Sequence, residues 1–249
     1  MNLDRVIAVR NQKTVYRDGD RCIKVFHTGY SKADILGEAL SQARMEDEGL
    51  CVPRVLEVAT VDGKWAIVSE YVRGKTLAQK MKEEPEKREE HLALLVRLQM
   101  TVHGKSCPLL PDLKNKLALR LAEAVPDTVA RDALSLRLAQ MPAGRAVCHG
   151  DLTPQNIILT SDGTPYLLDW SHATVGDSTA DMARSYLLLW LAGDAPLAED
   201  YLSLVTRMSG TERQAVLRWI PLLAAAQSVR SNEGERERLH MLLGEEYHQ

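Results

Sequence analysis

The chain has 249 residues, room for one large domain or two small lobes, and its 45% apolar and 26% charged residues are ordinary for a soluble globular protein. Lys and Arg total 31 against 34 Asp and Glu, a formal charge of -3 that excludes a generally basic nucleic-acid binder. The most apolar stretches, residues 186–193 and 219–229, fall short of the ~18–20 residues that span a bilayer, and residues 1–13 lack the apolar core of an export signal. Cys22, Cys51, Cys107 and Cys148 show neither CxxC nor metal-ligand spacing, so reduced thiols in a cytoplasmic protein are expected, with no nucleic-acid or membrane partner.

In chain order, residues 5–9 and 13–17 alternate with β-branched and aromatic residues and read as strands. Asp18-Gly19-Asp20 supplies a tight turn, and residues 21–26 run back as a third strand. Residues 31–48 read as a helix capped by Ser31, its apolar face carried by Ala33, Leu36, Ala39, Leu40, Ala43 and Met45. Val52-Pro53 ends it. Two more strands, 55–60 and 65–71, join across Asp62-Gly63. The result is a small antiparallel sheet with one helix between its third and fourth strands.

From Thr76 onward the pattern is mostly helical, and Thr76 with Gln79 fits a capping box. The charged run 80–88 reads as a solvated face. Helical patterns recur at 90–102, 113–124, 127–140, 179–192, 197–208 and 211–229, the last opened by a second capping-box pair, Thr211 and Gln214. Only residues 145–148, 157–159 and 166–168 interrupt them with strand-like runs. The expected architecture is α+β and two-lobed. Residues 1–72 form a small antiparallel-sheet lobe with one helix, and residues 73–249 a larger helical lobe.

Chemistry concentrates in Val147-Cys148-His149-Gly150-Asp151-Leu152-Thr153-Pro154-Gln155-Asn156-Ile157, a polar loop between two apolar strands. A second carboxylate, Asp169, ends the strand 166–168. Two acids and an amide at strand ends suit phosphoryl transfer: one acid takes the proton of the attacking hydroxyl, while the amide and the other acid hold Mg2+ against the phosphates.

At these residues the chain resembles the aminoglycoside phosphotransferase and choline kinase group of the protein-kinase-like fold. The signature is His149-Gly150-Asp151, then Asn156, then Leu168-Asp169-Trp170. The resemblance extends over nearly the whole chain. It implies Asp151 as the catalytic base and Asn156 and Asp169 as the metal ligands. Lys24, in Cys22-Ile23-Lys24-Val25-Phe26, is similar to the third-strand lysine that holds nucleotide phosphates, and Glu38 to its ion-pair partner. Glu46 and Glu48 compete with Glu38 for that place. Ser69-Glu70-Tyr71-Val72 looks like the hinge whose backbone, around Glu70 and Val72, receives the base of ATP or GTP. Asp181-Met182-Ala183-Arg184 resembles the helix start beneath the catalytic loop, with Asp181 accepting from loop amides. His149 organises the loop by hydrogen bonds, and His103 reads as a satisfied buried polar group.

The chain departs from that family's pattern in one place and from regulated protein kinases in others. Arg10-Asn11-Gln12-Lys13-Thr14, between the first two strands, contains no glycine. A glycine-rich loop lets backbone N–H groups approach phosphates, so its absence predicts a weaker or differently held nucleotide, the latter with Lys13 reaching over the phosphates. Gly150 stands where regulated protein kinases carry an arginine, and eleven residues between Asp169 and Asp181 leave no room for a long regulatory loop. A constitutively assembled site is expected. Thr153 replaces the lysine typical of protein kinases, which points to a small-molecule acceptor. Glu245 and Glu246 read as a frayed terminus, with contact to an amino group of the acceptor as the alternative, and Ser69 predicts a deeper base pocket than a bulky residue would leave.

The expectation is therefore a Mg-dependent transfer of the γ-phosphate of ATP or GTP to a hydroxyl of an aminoglycoside-, choline- or sugar-like small molecule. A catalytically silent nucleotide-binding pseudokinase and a small atypical protein serine kinase are the alternatives.

Overall fold

A computed structural model describes residues 3, 5–10, 13–27, 29–125, 127–228, 231 and 233–243. The chain divides into two compact units, Met1–His91 with Pro154–His172, and Leu92–Thr153 with Ala173–Gln249.

In the first unit, β1 (Val6–Arg10), β2 (Lys13–Asp18), β3 (Arg21–Phe26), β4 (Val55–Val61) and β5 (Lys64–Glu70) form an antiparallel sheet in the order β1-β2-β3-β5-β4. The β2–β3 turn uses positive φ at Gly19, and the β4–β5 turn uses it at Asp62 and Gly63, as a two-residue hairpin of right-handed twist requires. Period-2 alternation divides the sheet's side chains. Ile23 and Val25 pack with Ala66 and Val68 on one face. Phe26 and Ile67 pack on the other with Ile35 and Ala39 of α1 (Lys32–Asp47). Lys24, between Ile23 and Val25, therefore lies on the α1 face.

Helix α1 begins with a reciprocal capping box, Ser31 with Asp34. Its buried residues are Ile35, Glu38, Ala39, Ser41, Gln42 and Met45, and the expected apolar members Leu36 and Leu40 are exposed. The sequence reading fails there because two of the inward positions are polar residues satisfied inside. Glu38 meets Lys24, and Gln42 Nε2 donates to the Pro53 carbonyl at 2.6 Å.

A second, three-stranded sheet in the same unit orders β6 (Gly74–Thr76), β8 (Ile157–Thr160) and β9 (Pro165–Leu167). Gly74 is required here: a Cβ would stand 2.2 Å from the Leu159 carbonyl oxygen. Helix α2 (Leu77–Glu83) follows with the expected Thr76–Gln79 capping box.

The second unit is helical, comprising most of α3 (Arg88–His103), then α4 (Leu113–Ala124), α5 (Thr128–Gln140), α6 (Ser178–Leu191), α7 (Ala195–Ser209), α8 (Arg213–Leu217), α9 (Ile220–Gln227) and α10 (Glu233–Leu243). One small ladder pairs β7 (Ala146–Cys148) with β10 (Thr174–Gly176). The helix expected over 211–229 is two helices. Pro221 lacks an N–H and begins α9 in its first turn, so the chain breaks after Leu217. The N-cap of α8 is Glu212, with no side-chain capping bond, so the Thr211–Gln214 box does not form. Trp219 is fully buried and donates from Nε1 to Thr179 Oγ1 at 2.8 Å. Among the described residues, no helix is long and apolar enough to cross a membrane.

Candidate active site

The first unit gathers four charged side chains. Lys24 Nζ lies 2.5 Å from Glu38 Oε1, and Glu38 is 4% exposed. Their meeting follows from the face assignments: Lys24 points to α1, and Glu38 is one turn beyond Ile35, which packs on the same sheet face. The helix thus pairs Lys24 with Glu38, not with Glu46 or Glu48. Asp169 Oδ1 is 3.6 Å from the same Lys24 Nζ. Lys13 Nζ completes the cluster at 3.4 Å from Asp169 Oδ2 and 3.7 Å from Glu38 Oε2.

Asp169 itself sits at φ 61, in the left-handed region that a non-glycine residue occupies at a cost. Ser171 Oγ donates to its Oδ1 at 3.0 Å. Trp170, fully buried, ties the following turn back by donating from Nε1 to the Leu167 carbonyl at 3.3 Å. Burial pushes the Asp169 carboxyl up. The Lys24 and Lys13 ammoniums and the Ser171 hydroxyl outweigh it and hold the group well below the usual carboxylate range. Burial likewise pushes Lys24 down, but the Asp169 and Glu38 carboxylates reverse the sign and raise it. Two lysines and two carboxylates thus face one another within about 4 Å.

Asn156 is buried at 3% exposure. In the β8–β9 ladder Ile157 stands opposite Leu167. One step outward, the Leu168 N–H donates to the Asn156 carbonyl at 2.8 Å. The hairpin therefore brings the start of β8 and the end of β9, with Asn156 and Asp169, to one end of the ladder.

Magnesium is a hard cation that prefers oxygen and is usually held by one or two side chains plus substrate phosphates. An amide and a carboxylate at one ladder end fit that demand. Among the described residues no group of three or more His, Cys, Asp or Glu is placed to hold a metal, so a dedicated protein cage, as for zinc, does not fit.

The expected hinge lies at the end of β5. Glu70 N–H donates to the Arg54 carbonyl at 3.0 Å and Tyr71 N–H to the Asp20 carbonyl at 2.8 Å. The Glu70 carboxylate turns to Arg54, Oε2 to Nε 2.8 Å. Val72 is buried, and among the described residues its N–H has no hydrogen-bond acceptor.

The second unit holds Asp151. Its N–H donates to Nδ1 of the fully buried His149 at 3.2 Å, which fixes that ring as the tautomer with its proton on Nε2. The preceding Gly150, at φ 77, is clamped from both sides. Its N–H donates to Asp181 Oδ1 at 2.7 Å, and its carbonyl accepts from Arg184 Nε at 3.2 Å. Asp181 and Arg184 stand three apart on α6 and so share a face. Asp181 is 1% exposed, and its Oδ2 also meets His103 Nε2 at 2.8 Å and Gln99 Nε2 at 3.0 Å. Burial raises its pKa, but the His103 and Gln99 bonds and the Gly150 N–H prevail and lower it to about 2. Gln99 further donates to Ser185 Oγ and accepts from the Tyr201 hydroxyl.

The sequence reading missed Ser171, two residues beyond Asp169, and Gln99, whose spacing on α3 four residues before His103 was the available signal. Of the residues it singled out, Asn11, Gln12, Glu245 and Glu246 lie outside the described residues.

Comparison with known proteins agrees with this reading of the fold. The chain is similar to the aminoglycoside phosphotransferase APH(4)-Ia (16% identity over 96% of this chain and 90% of that one, TM-score 0.69). It is similar also to the choline kinase LicA from Streptococcus pneumoniae (16%, 98% and 94%, TM-score 0.65). A third likeness is a choline/ethanolamine kinase family protein from Mesorhizobium loti (17%, 98% and 88%, TM-score 0.62). These likenesses show the α+β kinase-like fold, an antiparallel-sheet part followed by a helical part. No curated protein matches the sequence. The profile of the family described as "Phosphotransferase enzyme family" matches residues 7–215, and on that match, spanning most of its length, the chain belongs to this phosphotransferase family.

Proposed function

We propose that the protein transfers the γ-phosphate of ATP or GTP to a hydroxyl of a small molecule, aminoglycoside-, choline- or sugar-like, in a Mg-dependent reaction. The observation that carries this reading is the buried cluster of Lys24, Glu38 and Asp169, with Asn156 at the same ladder end as Asp169. Similar proteins support the ligand class: LicA has a structure in complex with AMP, and APH(4)-Ia a ternary complex with AMP-PNP and hygromycin B.

In this mechanism Lys24, held in place by Glu38, binds the nucleotide phosphates. The base is received by the backbone from Glu70 to Val72, where the Val72 N–H is a donor in waiting. Asn156 and Asp169 would hold Mg2+, which when bound neutralises charge on the phosphate oxygens. Asp151 orients the acceptor hydroxyl and takes its proton as the oxygen bonds to the γ-phosphorus and the bond to the β-phosphate oxygen breaks, releasing ADP or GDP. His149 and the Asp181–Arg184 clamp on Gly150 fix the backbone from which Asp151 projects. Positioning and charge neutralisation, not covalent chemistry, supply the rate. The reading places the enzyme in the cytoplasm, which suits four unpaired cysteines and a nucleotide donor.

The test is nucleoside diphosphate release across a panel of aminoglycosides, amino alcohols and sugars, with γ-labelled ATP and GTP. Asp151→Asn should lower kcat by orders of magnitude and leave nucleotide affinity nearly intact, whereas Asp169→Asn should weaken Mg·nucleotide binding itself. Label in a protein would mark a protein serine kinase. Nucleotide binding without transfer would mark the silent pseudokinase.

A further inference from the structure

The cluster in the first unit contains one lysine more than an ion pair needs. Lys24 already satisfies Glu38 at 2.5 Å. The cation nearest to Asp169 is the second lysine, Lys13, at 3.4 Å against 3.6 Å for Lys24. Its position follows from register. Lys13 stands opposite Phe26, and Val15 opposite Lys24, so Lys13 and Lys24 lie diagonally on the same sheet face, the one that meets α1. Its side chain is only 14% exposed, and Nζ lies 5.8 Å from the centre of the Phe26 ring. A lysine that merely blunted a sheet edge would extend into water.

Lys13 is exchangeable where Lys24 is fixed, because its contacts, 3.4 and 3.7 Å, are longer than the ~2.7–2.9 Å of a well-made charge-assisted hydrogen bond, whereas Lys24 holds Glu38 at 2.5 Å. Lys13 also opens β2, directly after a stretch of sequence without glycine, and glycine is what lets backbone N–H groups approach phosphates closely.

We propose that Lys13 is a second phosphate-binding cation of this site, and that before nucleotide arrives its ammonium sits on Asp169 and Glu38 in place of a divalent cation. The inference rests on the nucleotide-binding reading above and deepens it. Its consequence is linkage. With both lysines in place two cations offset two carboxylates, and a free divalent ion gains little by entering. When the triphosphate draws Lys13 away, one lysine faces two carboxylates and the cluster becomes an attractive cation site. Metal and nucleotide therefore bind together, each favouring the other.

The test uses the full chain as wild type, Lys13→Met and Lys13→Arg, with thermal melts to show that each is folded. Mn2+ alone is titrated by electron paramagnetic resonance of the free ion, and ATP is titrated in EDTA by displacement of a fluorescent analogue. Lys13→Met should bind Mn2+ alone about tenfold more tightly than wild type and metal-free ATP about tenfold more weakly, the scale of one charged contact. Lys13→Arg should restore both. Opposite signs in one variant are the signature, since a loss of structure would weaken both ligands. Shifts in the same direction, or no shift in a wild type that binds Mg·ATP, overturn the role of Lys13 and leave the nucleotide site standing. A wild type that binds no nucleotide, with or without metal, overturns both.

Discussion

Removing the Asp181 carboxylate tests how the Asp151 loop is held, because its three partners are different in kind. Oδ1 receives the Gly150 N–H, and Oδ2 receives His103 Nε2 and Gln99 Nε2, all in a site 1% exposed. In Asp181→Ala, Gln99 Nε2 keeps Ser185 Oγ at 3.1 Å, so two donors are orphaned, the Gly150 N–H and the His103 ring N–H. At ~1–3 kcal/mol for each buried unsatisfied group, the loss is roughly 4 kcal/mol. In Asp181→Asn the amide oxygen can keep the Gly150 bond, and His103 can change tautomer to accept from the new NH2 group. The cost should fall to about 1–2 kcal/mol. Urea unfolding at neutral pH, with m of ~3 kcal/mol/M, would place the alanine midpoint more than about 1 M below wild type and the asparagine midpoint between them. Because Gly150 directly precedes Asp151, the asparagine variant should lose kcat more than nucleotide affinity. An alanine variant within about 1 kcal/mol of wild type, or an asparagine variant as unstable as alanine, would refute the view that this carboxylate anchors the loop.

The same carboxylate has an acid signature. Its pKa is depressed to about 2 in the folded chain, so its stabilisation is complete above the unfolded aspartate value of ~3.9 and is lost as pH falls through about 2, an amplitude of roughly 2.5 kcal/mol. Stability measured between pH 5 and 2 should fall less steeply in Asp181→Asn than in wild type. Gly74→Ala should destabilise the β6–β8 pairing by more than about 2 kcal/mol, because its Cβ would meet backbone, the Leu159 carbonyl at 2.2 Å, which cannot swing aside as a side chain can. A thermal melt within a degree of wild type would contradict that packing.

Much of the fold was legible because local signals agreed. β3 and β5 are short apolar runs bounded by turn signals, turn residues stand between β2 and β3 and between β4 and β5, and Ser31 and Thr76 cap helices where expected. Failures came where tertiary context overrode a local rule. The buried face of α1 was hidden because Glu38 and Gln42 point inward, and hydrophobic periodicity counts such residues as surface. β6 and β10 have three residues each, too few to show alternation, and exist because β8 and β7 pair with them from far along the chain. The 211–229 break had a local sign, Pro221, which the strength of the surrounding apolar run obscured.

The candidate site divides along the same line. Asn156 and Asp169 are readable as neighbours because the short β8–β9 hairpin brings them to one ladder end. Around the Asp151 loop, His149 and Asp181 were expected and Gln99 was not. Gln99 and His103 reach Asp181 across 82 and 78 residues, and the one local sign, their spacing of four on α3, does not say what the pair meets. Lys13 is the intermediate case. The lack of glycine in residues 10–14 draws attention to it in the sequence, but its reach to Asp169 depends on cross-strand register and on where β9 ends. A residue count does not contain those two facts. Where a backbone device is missing from one strand connection, the compensating charge is therefore to be sought on the same sheet face, diagonal to the lysine that the motif already names.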